Sequence, residues 1–473
     1  MKQKITFYIC CVIIFPSLIF ANQNSSPRLM GTARTFTALS RGLDAMGTNP
    51  ANLALDDRGS TVTFHFLPLG FRVGSDIFRY DVYNKYFTGT GEKDSTGKRS
   101  SYILSDEDKS VLKDEILYDN VSFTQANAEI NFFGLNVQSG DFGIGFSVQE
   151  RIGANLNLDK GYIDIVFSGL DSISSNHSLS RTLIRASWLR EYNFSTAYNL
   201  TTESETFPKL ALGVGVKYIQ GFAYFGTQYF AGNIIHTVNN PQDTITDINN
   251  VSSSVQGNLR VLQFRSGISL DGIRGPFPTP AGKGIGIDIG ITAKVEDAFY
   301  VAASLVDIGR IKWEKNPKVF KVEGDFYFDG NLFEQVDSLQ NFFKGEERDT
   351  TTFFSFLPTA LHLGGMWSVH KSTEDFSGEL TLAMDVHIGF NDEPGNSRVP
   401  RISFGAEYIP IGFFALRTGF LFGGRERFNW SIGTGLRFGN TFDIDIATEN
   451  IGILLNPNSF HSASISLGMR WRI

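Results

Sequence analysis

The feature that most constrains this chain is the alternation of side-chain type across residues 284–473. From 461 to 473, Ala463, Ile465, Leu467, Met469, Trp471 and Ile473 share one parity, and Ser462, Ser464, Ser466, Gly468, Arg470 and Arg472 share the other. Successive side chains of a strand point to opposite faces, so such a segment has one apolar and one polar face. The pattern recurs strand after strand. Ile285, Ile287, Ile289 and Ile291 alternate with Gly286, Asp288, Gly290 and Thr292. Leu380, Leu382, Met384, Val386 and Ile388 alternate with Glu379, Thr381, Ala383, Asp385 and His387. Ile402, Phe404, Ala406 and Tyr408 alternate with Arg401, Ser403, Gly405 and Glu407, and Trp430, Ile432, Leu436 and Phe438 with Ser431, Gly433, Gly435 and Arg437. Two architectures use one-sided strands. A soluble sandwich turns the apolar faces toward a second sheet, whereas an up-and-down membrane barrel turns them toward lipid and the polar faces toward a wet lumen.

The connections favour the barrel. From Gly284 nine strands can be traced, with short links at 296–297, 371–376, 410–412 and 439–440. Longer links at 313–352, 391–398, 424–428 and 454–459 alternate with them. Outer-membrane barrels have short periplasmic turns and longer outer loops, and a sandwich has no reason to show this parity. Placing both termini on the periplasmic side requires an even strand count. Five or seven earlier strands give 14 or 16. Strand-like stretches at 60–74, 121–138 and 141–153 supply three of them. The polar stretch 75–120 is too long for an ordinary connection. It falls on the outer side and carries an expected helix at 106–117, with Ser105 and Asp108 placed as a capping box. The segment 160–170 reads as a helix or a strand.

Composition agrees. The 473 residues are 42% hydrophobic with a mean hydropathy of −0.08, and past the first twenty no apolar run reaches the ~20 residues of a membrane helix. The 48 glycines and 43 phenylalanines suit short strands, tight turns and crowded walls. Lys2 and Lys4, the apolar run 5–20 and Ala21 form a secretory signal peptide over residues 1–21. Both cysteines, Cys10 and Cys11, lie inside it, so the exported chain is expected to hold together without disulfides. Losing Lys2 and Lys4 takes the formal net charge from −7 to −9, which argues against nucleic acid as a partner.

Residues 22–58 precede the first strand, and the expected barrel occupies 59–473. Phe36, Leu39, Leu43 and Met46 recur at helical spacing, and Asn49-Pro50-Ala51-Asn52 breaks the helix because Pro50 forces Asn49 out of the α region. The segment is either a short amphipathic helix packed on the following core or a plug inside a barrel. The run from Gly31 through Asn49-Pro-Ala-Asn-Leu-Ala resembles the plug opening of FadL-like outer-membrane proteins. Gly284-Ile-Gly-Ile-Asp-Ile-Gly, followed by Val306-Asp-Ile-Gly-Arg-Ile-Lys-Trp313, resembles a phrase of less studied barrels in that superfamily, including relatives of the type IX secretion shuttle barrel. The resemblance implies a 14-stranded barrel with a plug and transfers no substrate. The closing strand would be the signal read by the barrel-assembly machinery. Such signals usually end in an aromatic residue; here the chain ends in Ile473, with Trp471 two positions back on the same face.

No catalytic constellation stands out. The seven histidines lack a metal-ligand spacing, no nucleophile elbow is present, and Gly213-Val-Gly215 and Gly284-Ile-Gly286 lack the spacing of a nucleotide loop. These glycines fit inner-face positions that leave room for a plug or loop. No cofactor, metal or enzymatic activity is expected. On the inner parity lie Lys217, Asp288, Asp385, Arg401, Glu407, Arg417, Arg437, Asp443, Asp445 and Arg470. A charge facing lipid at mid-depth costs about 2–4 kcal/mol, so these are expected in the lumen, pairing with one another and the plug or lining a polar passage. An apolar ligand would meet Phe36, Leu39 and Leu43, with Asn49, Pro50 and Asn52 as further plug residues. It could also meet the aromatic outer loops at Phe320, Phe326, Phe328, Phe333, Phe342 and Phe343. The leading expectation is a passive outer-membrane channel for small hydrophobic molecules. The alternatives are a non-transporting barrel that anchors or shuttles secreted proteins, and an outer-membrane lipid hydrolase.

Overall fold

The computed structural model describes residues 26–55, 57–77, 79–89, 100, 103–168, 175–204, 206–238, 253–268, 275, 277–296, 298–329, 345–369, 376–456 and 461–473. The expected signal peptide, Phe333, Phe342 and Phe343 lie outside the described residues. The strands are β1 (Val62–Phe66), β2 (Leu69–Ser75), β3 (Val121–Ser139), β4 (Phe142–Asp159), β5 (Ser175–Ser178), β6 (Leu183–Thr201) and β7 (Lys209–Val238). They continue as β8 (Ser253–Gly267), β9 (Gly282–Glu296), β10 (Phe299–Trp313), β11 (Lys318–Asp329), β12 (Glu346–Asp349), β13 (Phe353–Phe356) and β14 (Ala360–Ser368). The last are β15 (Glu379–Gly389), β16 (Arg401–Ile411), β17 (Phe414–Gly423), β18 (Arg427–Phe438), β19 (Phe442–Thr448) and β20 (Ser462–Arg472).

Every pairing is antiparallel, and the sheet closes on itself, because β1 and β2 both pair with β3 on one side and with β20 on the other. Among the described residues fourteen staves make the barrel, the lower of the two even counts. β1 and β2 form one broken stave, β13 and β14 another, and β3, β4, β6, β7, β9, β10 and β15 to β20 supply the rest. Among the described residues, closure of these fourteen staves leaves the barrel wall without an edge and satisfies its backbone groups, which is what a spanning sheet needs in lipid.

The parity holds around the wall. Ile285, Ile287, Ile289 and Ile291 are exposed on the outside, as are Leu382, Met384, Ile402, Phe404, Leu436, Ile465, Leu467 and Met469. Aromatic rings gather at both rims, as in a membrane girdle. At the end carrying the chain terminus, Trp471 lies 5.5 Å from Phe64 and 5.0 Å from Phe442 between ring centres. At the opposite end Phe420 stacks on Trp430 and Phe428.

Beyond that end the wall keeps rising. The 30 residues of β7 pair with β9 over their first half and with β8 over their second; β11 pairs with β8 and β12 with β11. Much of the stretch expected as a loop at 313–352 is therefore paired strand, with Val322 and Phe326 buried and their neighbours Lys321, Glu323 and Tyr327 exposed. A helix at Asp106–Ile116 carries the capping box of Ser105 and Asp108. The ambiguous segment is a helix, Lys160–Ser168. Val82, Tyr86, Leu112, Ile116 and Ile163 pack these elements into a small outer core.

Residues 26–55 run inside the barrel, almost all buried. The helix that the spacing of Phe36, Leu39, Leu43 and Met46 suggests does not form. Pro27–Gly31 is one α-helical stretch and Gly42–Ala45 and Pro50–Ala54 are 3-10 turns, with Ala33 and Arg34 at positive φ between them. The wall dictates this path. The Asp385 carboxylate accepts from the Phe36 and Thr37 amides at 2.5 and 2.8 Å, which no continuous helix could offer to one side chain.

Candidate functional site between plug and wall

The plug rests on glycines. Gly213 and Gly290 pair across β7 and β9 directly beneath the Asn49-Pro50-Ala51 turn. A methyl group on Gly213 would sit 2.2 Å from the Ala51 nitrogen, and one on Gly290 1.9 Å from the Asn49 side-chain oxygen. Gly143 under Leu53, Gly405 under Thr35, Gly419 under Thr32 and Gly433 under Gly31 repeat the device around the wall. The turn itself is a polar knot. Asn49 Nδ2 donates to the Thr37 carbonyl (2.8 Å) and Thr292 Oγ1 (2.9 Å), and its Oδ1 caps the Ala51 amide (3.2 Å). Asn52 Nδ2 donates to the same Thr37 carbonyl (2.9 Å), and its Oδ1 accepts from the Thr292 hydroxyl (2.6 Å). Pro50 occupies the first turn position, where its missing N–H is no loss.

Ion pairs fasten the rest of the plug. Arg28 meets Glu407 at 2.9 Å, and Arg417 bridges Glu407 and Asp445 at 2.6 Å each, with Arg437 3.6 Å from Glu407. Arg34 forks onto Glu449, Asp44 meets Arg470 at 2.6 Å, and Arg58 meets Asp443 at 3.0 Å. A second charged layer crosses the lumen beside the plug. Lys217 lies 2.9 Å from Asp288 and 2.5 Å from Asp307; Arg151 contacts Asp307 at 3.2 Å and also holds Glu191. Asp307 reaches the lumen because β10 bulges between Leu305 and Ile308, with Asp307 at φ 56° and its amide donating to Asp288 at 2.7 Å. The two phrases of the sequence resemblance, around Asp288 and Asp307, thus meet on one lysine.

The inward charges fall into separate groups. Lys217 and Asp288 form one; Glu407, Arg417 and Arg437 another; Arg470 joins Asp44. Asp385 holds the plug backbone, and Arg401 makes no ion pair among the described residues. Of the three apolar plug residues, Phe36 packs on His362 (4.8 Å) and Leu39 on Ala302 and Met366, so both are filled contacts. Leu43 alone of the three lines a cleft of about 60 Å3 between plug and wall. The remaining lining is mixed: Arg28, Asp44, Met46 and Thr48 from the plug, His65, Glu129, Arg151 and Lys217 from the wall, and Pro68, Gly468 and Met469 at the break in the first stave. That break is Leu67-Pro68, with Leu67 at φ 51° and exposed. Met469, whose side chain is exposed on the outward parity, joins this lining between its inward neighbours Gly468 and Arg470.

Toward the end from which β7 rises, the barrel interior is filled by a packed apolar cluster. Trp313, Phe353, Tyr224 and Phe264 stack with ring centres 5.1–6.2 Å apart, alongside Leu189, Ile219, Ile311 and Leu357. Trp313 lies over another glycine pair, Gly221 and Gly282, and donates its indole N–H to Ser355 at 2.9 Å. Phe320, Phe326 and Phe328 sit higher, on β11 of the rising wall; Phe320 packs against Leu259 and Val322. Sequence reasoning missed the buried neighbours His362 and His387, whose Nδ1 atoms are 3.3 Å apart across β14 and β15. Their 25-residue separation hides a contact that only the strand register creates.

Residues 59–448 match a family of unknown function, DUF5723. The chain belongs to that family. The matched stretch begins just after the plug. No curated protein matches. Among solved structures the chain is similar to the toluene transporter TbuX of Ralstonia pickettii, at 14% identity over 97% of this chain and 100% of that one, with a TM-score of 0.45. It is similar to a Pseudomonas aeruginosa FadL homologue at 11% identity (96% and 100% covered, TM-score 0.45), and to the toluene transporter TodX of P. putida at 10% (95% and 99%, TM-score 0.43).

Proposed function

We propose that this protein is an exported outer-membrane channel that passes small hydrophobic molecules passively, by way of the aromatic outer mouth and a sideways exit beside the plug. The cleft carries this reading: it joins Leu43 and Met46 of the plug to Pro68 and Met469 at the break in the first stave. A hydrophobic solute gains nothing from the charged layer of Lys217, Asp288, Asp307 and Arg151. Displacing the plug toward the break would offer it lipid instead. The test is uptake of a fluorescent hydrophobic tracer, N-phenylnaphthylamine, by proteoliposomes carrying the native chain or a chain lacking residues 31–52. Tracer entry above protein-free liposomes, altered by the deletion, supports the channel. No entry with either protein, or entry unaffected by the deletion, rejects it.

The rising wall favours a second reading, an anchor for secreted proteins. Tyr229 and Tyr327 are exposed on β7 and β11 of that wall, and aromatic residues are enriched at protein interfaces. A crosslinked pull-down from outer membranes that recovers the barrel alone would dismiss it.

A further inference from the structure

Above the plug, beneath the outer connections 390–400 and 424–426, lies a cleft of about 20 Å3 built around four arginines, Arg34, Arg72, Arg401 and Arg425. All four are at least nine-tenths buried. Three have partners. Arg34 forks onto Glu449, Arg72 holds Glu426 and lies 3.5 Å from Glu449, and Arg425 reaches Asp392 at 3.2 Å and the Asn157 amide oxygen at 2.6 Å. Arg401 makes no ion pair or side-chain hydrogen bond among the described residues, though it is only 7% exposed. The Nε atoms of Arg72 and Arg425 are also buried without a hydrogen bond. Glu449 and Asp385 are the carboxylates whose charge reaches Arg401, but neither is within ion-pair distance of it; Glu449 is held by Arg34, and Asp385 spends one oxygen on the Phe36 and Thr37 amides. A buried guanidinium without a counter-charge costs several kcal/mol, so a fold that keeps one has a use for it.

We infer that Arg401 is the centre of a binding site for a compact monoanion, a halide or the carboxylate of a small acid. The charge count sets the class: three of the four cations are matched by Glu449, Glu426 and Asp392, leaving a single positive charge. The volume sets the size, since about 20 Å3 takes one water-sized group or a single carboxylate head. The geometry sets the contacts. An uncommitted guanidinium edge receives a carboxylate in fork fashion, and the Arg425 Nε, buried without a hydrogen bond, lines the same cleft. The bound anion would join the plug through Arg34, the wall through Arg72 and Arg401, and the outer connections through Arg425. The inference is independent of what the barrel passes.

The experiment compares the native chain, purified in detergent, with Arg401→Met. Thermal unfolding of both is followed with sodium bromide, sodium formate and sodium sulfate at matched ionic strength. The readout is the difference between the two proteins, which cancels general salt effects. Bromide or formate should raise the native midpoint saturably by several degrees more than the variant's; formate alone would identify a carboxylate site, and bromide alone a halide site. Arg398→Met, at an exposed outer position, should behave like the native chain. No difference between native and Arg401→Met, or the largest difference with sulfate, overturns the inference. If Arg401→Met does not fold, anomalous diffraction from bromide-soaked native crystals decides. A peak within hydrogen-bonding reach of the Arg401 guanidinium supports the site, and its absence at saturating bromide refutes it.

Discussion

The glycine seat under the plug gives the most sharply bounded prediction. In Gly213→Ala the new methyl would lie 2.2 Å from the Ala51 nitrogen and 2.3 Å from the Pro50 carbonyl carbon, where ordinary contact begins at 3.4 Å. Both atoms are backbone, so no side chain can swing aside; the 3-10 turn itself must move. Overpacking of this kind costs about 1–3 kcal/mol. The cost should fall on the plug, because the wall around Gly213 is held by β6 and β9 on both sides. At a factor of ten for each ~1.4 kcal/mol, amides of residues 48–55 should exchange roughly 5- to 150-fold faster in hydrogen–deuterium exchange, while the strands keep their protection. Gly290→Ala strains the same turn through Asn49. The double variant should therefore cost less than the sum of the two, since a turn already displaced by one methyl no longer meets the other. Gly365→Ala is the control; it faces outward and its methyl would find no atom nearer than 3.9 Å. Unchanged exchange at 48–55 in Gly213→Ala, or equal disturbance by Gly365→Ala, would refute the reasoning.

Three further outcomes are expected. Lys217→Met leaves Asp288 and Asp307 buried against each other with less counter-charge and should lower stability by about 3–5 kcal/mol, read from denaturant unfolding in detergent; a loss below about 1 kcal/mol would mean that Arg151 suffices. Glu393, in the outer connection 390–400, has its carboxyl pushed up to about 7 by burial, against the opposing pull of Arg185 at 3.0 Å and the Tyr224 hydroxyl. A folded acid held above its ordinary value binds more protons than the unfolded chain, so its contribution is most favourable below pH ~4.5 and declines as pH rises toward 7. Exchange of 390–400 should accelerate over that interval, and Glu393→Gln should flatten the profile. Trp471→Asp removes the contacts with Phe64 and Phe442, about 0.5–1.5 kcal/mol each, and places a charge on the lipid face; assembled barrel, scored by heat-modifiable gel mobility, should fall at least about tenfold.

What was legible in the sequence was whatever repeats with period two. Ile285 to Ile291, Ile402 to Phe404 and Ile465 to Met469 each announce their outward face, and the alternation of short and long links orders the staves without any knowledge of contacts. The inward Gly213 was readable as room for a neighbour, though not for which one, and Gly290 only as an inner-parity residue. The plug was less readable. Its apolar spacing imitates a helix, but its conformation is set by partners hundreds of residues away: Arg34 on Glu449, Arg28 on Glu407, and the Phe36 amide on Asp385. The same holds for Asp307, which enters the lumen only because β10 bulges, and for β7, whose second half joins a sheet above the rim that no local pattern distinguishes from a loop. Phe36 and Leu39 looked like ligand contacts because they are apolar; burial against His362, Ala302 and Met366 uses them up.

Under the proposed function, small hydrophobic molecules travel between plug and wall and leave through the broken first stave. Its most direct test is photolabelling of the native protein in liposomes with a diazirine-bearing hydrophobic tracer, followed by mass-spectrometric mapping of the modified residues. Label is expected on Leu43 and Met46 of the plug and on Pro68 and Met469 at the break, competed by unlabelled tracer. Label confined to the outward lipid-facing belt, or spread there equally and insensitive to competitor, would contradict it.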